Sequence, residues 1–189
     1  MSLLHIPKPV KLIIGIFLKD KSLFPSAVRM LADRYGSVDM VSRWFPFDLT
    51  DYYESEMGTP LLRRMTAFER LIGRENLAAI KVETNILEDR FALDGKRRVN
   101  LDPGYVAREH VVVATGKNFS HRIYIGQGVF ADLTLLFHKG EFHKLPWTYP
   151  DYCRSDMLRY LKRVRDKYVR DLARAGAPPT EIGKAISHG

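Results

Sequence analysis

The first predicted element is a strand over residues 12–18, which form an apolar run. A run of this kind is typical of a central strand that is buried on both faces. A helix is predicted next, because Val28, Leu31 and Tyr35 recur at helical spacing and Gly36 follows them. Glycine is a common residue just past the end of a helix.

Residues 44–51 predict an edge strand. Apolar and polar positions alternate there, with Phe45, Phe47 and Leu49 on one side, as in a strand with one buried face. Pro46 lies within the alternation and has no N–H to donate to a neighbouring strand, which favours the edge of a sheet.

The order of the elements predicts the fold class. After the edge strand, the pattern gives a strand over residues 61–72, a helix over 75–91 and a short strand over 98–101. Strand, helix, strand, strand, helix, strand is the split βαβ order of ferredoxin-like folds. The chain is therefore predicted to be α+β, with a ferredoxin-like βαββαβ first half.

The second half predicts an extension of this sheet and a closing helix. A short helix over 106–114 precedes an antiparallel three-stranded meander over 122–125, 129–138 and 141–145, because these segments alternate around tight glycine turns. A C-terminal helix over 154–174 completes a single domain of residues 1–175. Residues 176–189 have two prolines and little apolar content, which predicts a flexible tail.

Composition limits the classes of protein that fit. The 189 residues are 46% hydrophobic and 28% charged, with one cysteine and a net charge of +8. A single cysteine excludes an internal disulfide and favours a reducing cytoplasm. No segment approaches the roughly 20 apolar residues of a membrane span, and the N-terminus lacks the pattern of a secretory leader. We expect a cytoplasmic protein with no membrane partner.

The positive charge is concentrated in the C-terminal helix. Residues 154–174 hold eight basic and three acidic residues, and the apolar positions recur on one stripe. Arg159, Arg163, Arg170 and Arg174 fall on the other side. Such a row is either a solvated helix face or a surface that binds the phosphates of RNA, and the sequence leaves both open.

Four polar segments predict the functional site: FPFDLTDYYESEMG (45–58), KRRVNLDPGYV (96–106), HRIYIGQGVFADL (121–133) and LPWTYPDY (145–152). Each places acids, amides or ring hydroxyls beside Pro or Gly, as expected where a backbone holds side chains towards a ligand. We expect the four segments to converge on one concave site. The predicted ligand-binding residues are Asp48, Asp51, Tyr53, Glu56, Asn100, Asp102, Tyr105, Arg122, Tyr124, Asp132, Trp147 and Tyr149.

This residue set suits a phosphate-bearing ligand. Its carboxylates could bind magnesium while Arg122 and Lys117 bind phosphate oxygens, although no metal is assigned. Three rings could stack on a base: Tyr105, Trp147 and Tyr149. Asp102 could equally cap a turn at Pro103 and Gly104, and Trp147 and Tyr149 could lock the last strand to the terminal helix. No catalytic residue is assigned.

Together with GIFLKD near the start, the four polar segments resemble an uncharacterised prokaryotic family, domain-of-unknown-function family 4416. The resemblance covers about residues 9–172, and several long phrases in the same order make it specific. It implies no established activity and no catalytic residues. Relatives of this kind sometimes carry a GTP-binding label.

The nearest approach to a P-loop is ATGKN at residues 114–118. It lacks the leading glycine of the P-loop and has Asn118 where the magnesium-binding hydroxyl belongs. We interpret it as the end of the short helix, with Gly116 as the stop.

The sequence therefore favours a protein that binds a phosphate-bearing ligand, either a nucleotide (GTP included) or RNA. Catalysis, cofactor and oligomeric state stay undecided. The alternative is a protein-interaction or scaffold domain, because aromatic residues and arginine are also enriched in interface cores.

Overall fold

A computed structural model describes residues 3–48 and 54–175 of the chain. The strands are β1 (Val10–Leu18), β2 (Val38–Val41), β3 (Phe45–Phe47), β4 (Leu61–Ile72), β5 (Val99–Val106), β6 (His110–Thr115), β7 (Arg122–Gly126), β8 (Val129–His138) and β9 (Glu141–Lys144). The helices are α1 (Phe24–Tyr35), α2 (Glu54–Met57), α3 (Leu77–Asp89) and α4 (Ser155–Ala175). The predicted tail of residues 176–189 lies outside the described residues.

The nine strands of the described residues belong to one antiparallel sheet in a single α+β domain. The order is β2-β4-β1-β5-β6-β8-β7, with β3 also paired to β4 and β9 also paired to β8. Helices α1 and α3 pack on one face, where they meet Leu12, Ile14 and Ile16 of β1. Helix α4 packs on the other face against Ile13 and its neighbours.

The core lies on both sides of β1. Every residue of β1 is buried, because successive side chains point to opposite faces and each face is covered by helices. This confirms the central position that the apolar run predicts. The strand over 61–72 and the long helices near residues 75–91 and 154–174 are also confirmed.

Pro46 lies at an edge of the sheet, as predicted. Strand β3 pairs with β4, and no other described strand pairs with it. The sequence pattern missed β2, which occupies the same edge of β4 further along that strand.

The predicted short helix over 106–114 is wrong, because this stretch contains the end of β5 and most of β6. Val111, Val112 and Val113 are β-branched, which favours a strand, and β6 is paired on both sides, with β5 and with β8. The backbone N–H of Ala107 donates to the His110 carbonyl at 2.9 Å, which closes the turn between the two strands. The end of β6 also overlaps ATGKN, so Gly116 follows a strand and does not stop a helix.

The turn predicted at Pro103 and Gly104 is also wrong, since both residues lie inside β5. Pairing of β5 with β6 starts only at Gly104, so Pro103 lies where β5 has β1 as its one strand neighbour. A Cβ built on Gly104 would lie 2.4 Å from the Val112 carbonyl oxygen. Glycine is therefore required here by the close approach of β6.

The three meander strands exist, but their arrangement differs from the prediction. Strands β7 and β9 both pair with β8 and lie end to end along one of its edges. The other edge of β8 pairs with β6. The prediction failed because it replaced β6 by a helix, so the edge of β8 that β6 occupies was assigned to an outer strand of the meander.

The sheet is narrowly joined between β5 and β6, and we call this junction the seam. Only three residue pairs connect the two strands, from Gly104 to Val106 on β5. Beyond them, α3 satisfies the open edge of β5: Glu88 accepts the Leu101 N–H at 2.7 Å, and Lys81 donates to the Leu101 carbonyl at 2.9 Å. This explains why α3 carries two buried charged residues, since buried backbone groups need hydrogen-bond partners.

Candidate functional site

Several predicted site residues share the face of the sheet that α4 covers in part. One row of directly paired residues crosses five strands and consists of Ile13, Gly104, Val113, Asp132 and Arg122. Ile13 and Val113 pack in the core beneath α4, so Asp132 and Arg122 lie on that face too. Alternation along each strand places Asn100, Asp102 and Tyr124 on the same face. Their cross-strand partners are Phe17, Gly15 and Phe130.

Arg97 is the centre of a first polar network. Its guanidinium donates to both carboxylate oxygens of Glu56, at 2.7 and 2.6 Å, and to Asn100 Oδ1 at 2.9 Å. Asn100 in turn donates to Asp102 Oδ1 at 3.1 Å. The Arg97 hydrogen bond lowers the pKa of the Glu56 carboxyl. This network joins the first and second polar segments.

Asp132 is the centre of a second polar network. Its buried carboxylate lies 3.0 Å from Arg122 Nε and 3.2 Å from His121 Nε2. Arg122 also donates to the Tyr149 hydroxyl at 2.5 Å. The His121 ring stacks on Trp147, with centroids 5.0 Å apart and planes 12° apart. This network joins the third and fourth polar segments.

Arg63 and Tyr152 form a buried cluster of their own. The Arg63 guanidinium is sandwiched between the rings of Phe17 and Tyr152, at 4.5 and 4.2 Å from their centroids. It forms an ion pair with Asp151 and a hydrogen bond with the Tyr152 hydroxyl. Both Arg63 and Tyr152 are buried.

Electrostatics connects Tyr152 to both networks. Burial raises the pKa of the Tyr152 phenol, adjacent Arg63 lowers it, and the charges of Asp102 and Asp132 raise it. The phenol therefore lies within electrostatic range of one carboxylate from each network. The contacts join the segments in two pairs, and convergence of all four on one concave site stays a prediction.

Bonds within the protein leave the Arg122 guanidinium at most two of its five N–H groups for a phosphate. Its three guanidinium nitrogens are bonded to Asp132, to the Lys117 carbonyl and to Tyr149. Asp132 in turn is shared by a guanidinium and an imidazole. In the part of the chain that the structure describes, no three or more His, Cys, Asp and Glu side chains are grouped as a metal site would require.

The remaining predicted residues are scattered around the networks. Tyr105 packs with Leu77 and Val112 against α3, so it lies on the opposite face from Trp147 and Tyr149 and cannot stack on the same base. Asp48 is exposed one residue beyond β3. Asp51 and Tyr53 lie outside the described residues.

Three arginines line a cavity between the β2–β3 edge and α4, and we call it the arginine pocket. Its volume is about 280 Å³. The lining residues are Val41, Ser42, Arg43, Phe45, Asp156, Arg159, Tyr160 and Arg163. The Tyr160 hydroxyl donates to the Met40 and Met65 carbonyls at 3.2 and 3.3 Å, which fixes the helix against the strands.

The charge of the arginine pocket is unbalanced. Asp156 is paired with Arg43, and Arg154 Nε lies 3.4 Å from its other oxygen. Among the described residues, no carboxylate forms an ion pair with Arg159 or Arg163. The pocket therefore has two guanidinium groups beyond the pair that Asp156 neutralises.

The family model described as Domain of unknown function (DUF4416) matches residues 8–168. The chain belongs to this family. The match confirms the resemblance seen in the polar segments, and it includes both polar networks and every residue of the arginine pocket. No curated protein and no solved structure matches the chain.

Some residues of this DUF4416 protein's candidate sites were missed from sequence alone. Arg63 falls between Leu61 and Met65 on the inward row of β4, and a charged residue at an inward position was the available signal. Arg43 gave no signal, because the β2–β3 edge meets α4 only in the folded chain.

No helix in the described ranges has the length and apolar character to cross a bilayer.

Proposed function

We propose that this DUF4416 protein binds a phosphate-bearing ligand in the arginine pocket. The observation that carries the proposal is the convergence of Arg43, Arg159 and Arg163 on one cavity whose lining holds a single carboxylate, Asp156. Guanidinium groups bind phosphate oxygens through paired, charge-assisted hydrogen bonds. An anionic group is the ligand that this charge distribution favours.

The size of the cavity favours a small ligand. About 280 Å³ is close to the lower end of the roughly 300–1,000 Å³ typical of small-molecule sites. It suits a phosphate group with a modest organic part. A nucleotide, GTP included, would place its phosphates here and its base outside the arginine cluster.

RNA is a second candidate, because exposed arginines continue along α4 from the pocket. Arg159, Arg163, Arg170 and Arg174 are all exposed. At 1.5 Å per residue the row is about 22 Å long. Asp166 lies within it and pairs with Lys162 at 3.0 Å, so the row is not uniformly basic. A polyanion would use the whole row, whereas a small ligand would use only its first half.

We also keep two finer predictions, a ferredoxin-like first half and a cytoplasmic location. The strand order β2-β4-β1-β5, antiparallel throughout, favours a ferredoxin-like first half. The free thiol of Cys153 favours a reducing, cytoplasmic location.

Two paired variants distinguish the candidates by calorimetric titration with inorganic phosphate, GTP and a single-stranded RNA oligomer. The double variant Arg159→Gln, Arg163→Gln should bind every phosphate-bearing ligand about 10- to 100-fold more weakly, since a hydrogen bond to a charged group contributes about 1.5–3 kcal/mol. Arg170→Gln with Arg174→Gln is the matched control on the same helix. It should leave phosphate and GTP binding unchanged and weaken RNA alone.

The salt dependence adds an independent readout for RNA. Each phosphate contact that is lost should lower the slope of log affinity against log salt by about 0.7 for a single strand. Equal affinity of wild type and the Arg159→Gln, Arg163→Gln variant for all three ligands would contradict the proposal. So would the absence of any binding at low salt.

A further inference from the structure

Strand β7 is an open edge of the sheet. It ends the strand order beyond β8, and no described strand pairs with its outer side. Its side chains are unusually exposed for apolar residues: Ile123 is 71% exposed and Tyr124 is 60% exposed. An exposed apolar edge strand offers unpaired N–H and C=O groups to another strand.

Two other edge strands carry features that oppose such pairing. Strand β3 contains Pro46, which cannot donate to a new neighbour. Strand β9 exposes Glu141, His143 and Lys144, and charged residues discourage edge-to-edge contacts. In β7 the one charged residue, Arg122, is held by Asp132 and Tyr149. Strand β7 therefore lacks the proline and the free charges that protect β3 and β9.

Aromatic side chains extend the apolar surface beside β7. Phe119 is 62% exposed, Tyr149 46% and Trp147 37%. Trp and Tyr are the residues that most often anchor protein interfaces. Ile123 lies on one face of β7, and Tyr124 lies on the other, where Arg122 meets Tyr149. We call the free backbone edge and the exposed apolar residues that flank it the β7 patch: Phe119, Ile123, Tyr124, Trp147 and Tyr149.

We propose that the occupant of the β7 patch is a second copy of this chain, paired antiparallel through β7 about a twofold axis. A register centred on Ile123 places Arg122 opposite the partner's Tyr124, and one centred on Tyr124 places Arg122 opposite Gly126. Neither register places the Arg122 residues of the two copies opposite each other, so pairing of β7 with itself brings no like charges together. The irregularity between Tyr124 and Gly126 lies next to the hairpin turn and leaves residues 122–124 regular.

Pairing of β7 with the same strand of a second copy also limits the assembly to a dimer. A contact between β7 and the β3 edge of another copy would be heterologous and would propagate, and Pro46 opposes it. A twofold β7 contact uses the same surface on both copies and stops at two. The pairing is independent of the arginine pocket, which lies at the opposite edge of the sheet.

The test is sedimentation equilibrium across a wide range of protein concentrations. The wild-type mass should rise from one chain to two, and Ile123→Lys should raise the concentration needed for association at least 10-fold. Ile86→Lys is the matched control, because Ile86 is 57% exposed on α3, away from β7. It should associate like the wild type.

Cross-linking tests the geometry separately. In a Cys153→Ser background, Ile123→Cys or Tyr124→Cys should form a disulfide-linked dimer on mild oxidation, depending on the register, because directly opposed residues of antiparallel strands lie within disulfide distance. Ile86→Cys in the same background should not. A wild type that stays monomeric at all concentrations overturns the proposal. Association that Ile123→Lys leaves unchanged also overturns it.

Discussion

Gly104 is the residue at which the sheet is most sensitive to a single added carbon. A Cβ there would lie 2.4 Å from the Val112 carbonyl oxygen and 3.2 Å from the Val113 Cα, and backbone atoms cannot rotate away as side chains do. The contact lies at the start of the β5–β6 pairing. Gly104 is therefore an essential part of the seam.

We predict that Gly104→Ala lowers the free energy of unfolding by about 1–3 kcal/mol, as overpacking of a core does. Gly116→Ala is the control, because a Cβ at Gly116 meets nothing within 4 Å. It should change stability by no more than about 0.5 kcal/mol. Urea unfolding of the three proteins measures both effects, and equal midpoints would contradict the prediction.

Glu88 makes stability depend on pH. Burial raises the pKa of its carboxyl above the ordinary value, although Lys81 and Arg97 and the Leu101 N–H oppose the shift. The folded protein therefore holds this proton more tightly than the unfolded chain, and the Glu88 contribution to stability increases as pH falls from neutral through the raised pKa.

We predict that Glu88→Gln flattens the pH dependence of unfolding between neutral and mildly acidic pH. Glutamine keeps an acceptor for the Leu101 N–H but has no proton to bind. The stability of the wild type relative to the variant should therefore rise as the pH is lowered. Parallel curves from urea unfolding at several pH values would show that Glu88 does not titrate in this range.

At the scale of elements, the 3₁₀ turn at Pro150–Cys153 is attached to the sheet by a buried ion pair. Asp151 meets Arg63, and Arg63 has no solvent to stabilise its charge. Removal of one partner from a buried pair leaves the other charge uncompensated, which costs about 3–5 kcal/mol.

We predict that Asp151→Asn destabilises the protein by about 3 kcal/mol. Asp166→Asn is the matched control, because Asp166 pairs with Lys162 on the exposed side of α4. Its cost should be about 0.5 kcal/mol or less. Thermal and urea unfolding compare the two. Similar costs for both variants would mean that the Arg63 pair is screened by solvent.

Elements were predictable where one physical signal dominated. The unbroken apolar run fixed β1, and Pro46 correctly indicated an edge. The prediction failed over residues 106–114, where a short helix was predicted although three consecutive valines favour a strand. The turn predicted at Pro103 and Gly104 was also wrong. Turn preferences describe an isolated segment, whereas pairing with the neighbouring strands β1 and β6 decides the conformation of these two residues.

At the scale of the molecule, the candidate sites were predictable only in part. The polar segments contain nearly all residues of the two polar networks, and the four arginines predicted on the solvent side of α4 are exposed. The sequence did not show that Arg122 is held by Asp132 and Tyr149, or that Tyr105 lies on the other face. Both facts depend on register. Arg43 joins Arg159 and Arg163 through contacts between distant segments, which no local pattern encodes.

The seam divides the sheet into two parts. Strands β1 to β5 form one part and strands β6 to β9 the other, with three residue pairs between them. The other ladders on the path from β4 to β8 have at least six pairs each. The Arg97 network belongs to one part and the Asp132 network to the other. A rotation of one part against the other about the seam would therefore change the distance between Asp102 and Asp132, the two carboxylates whose charges raise the pKa of the Tyr152 phenol.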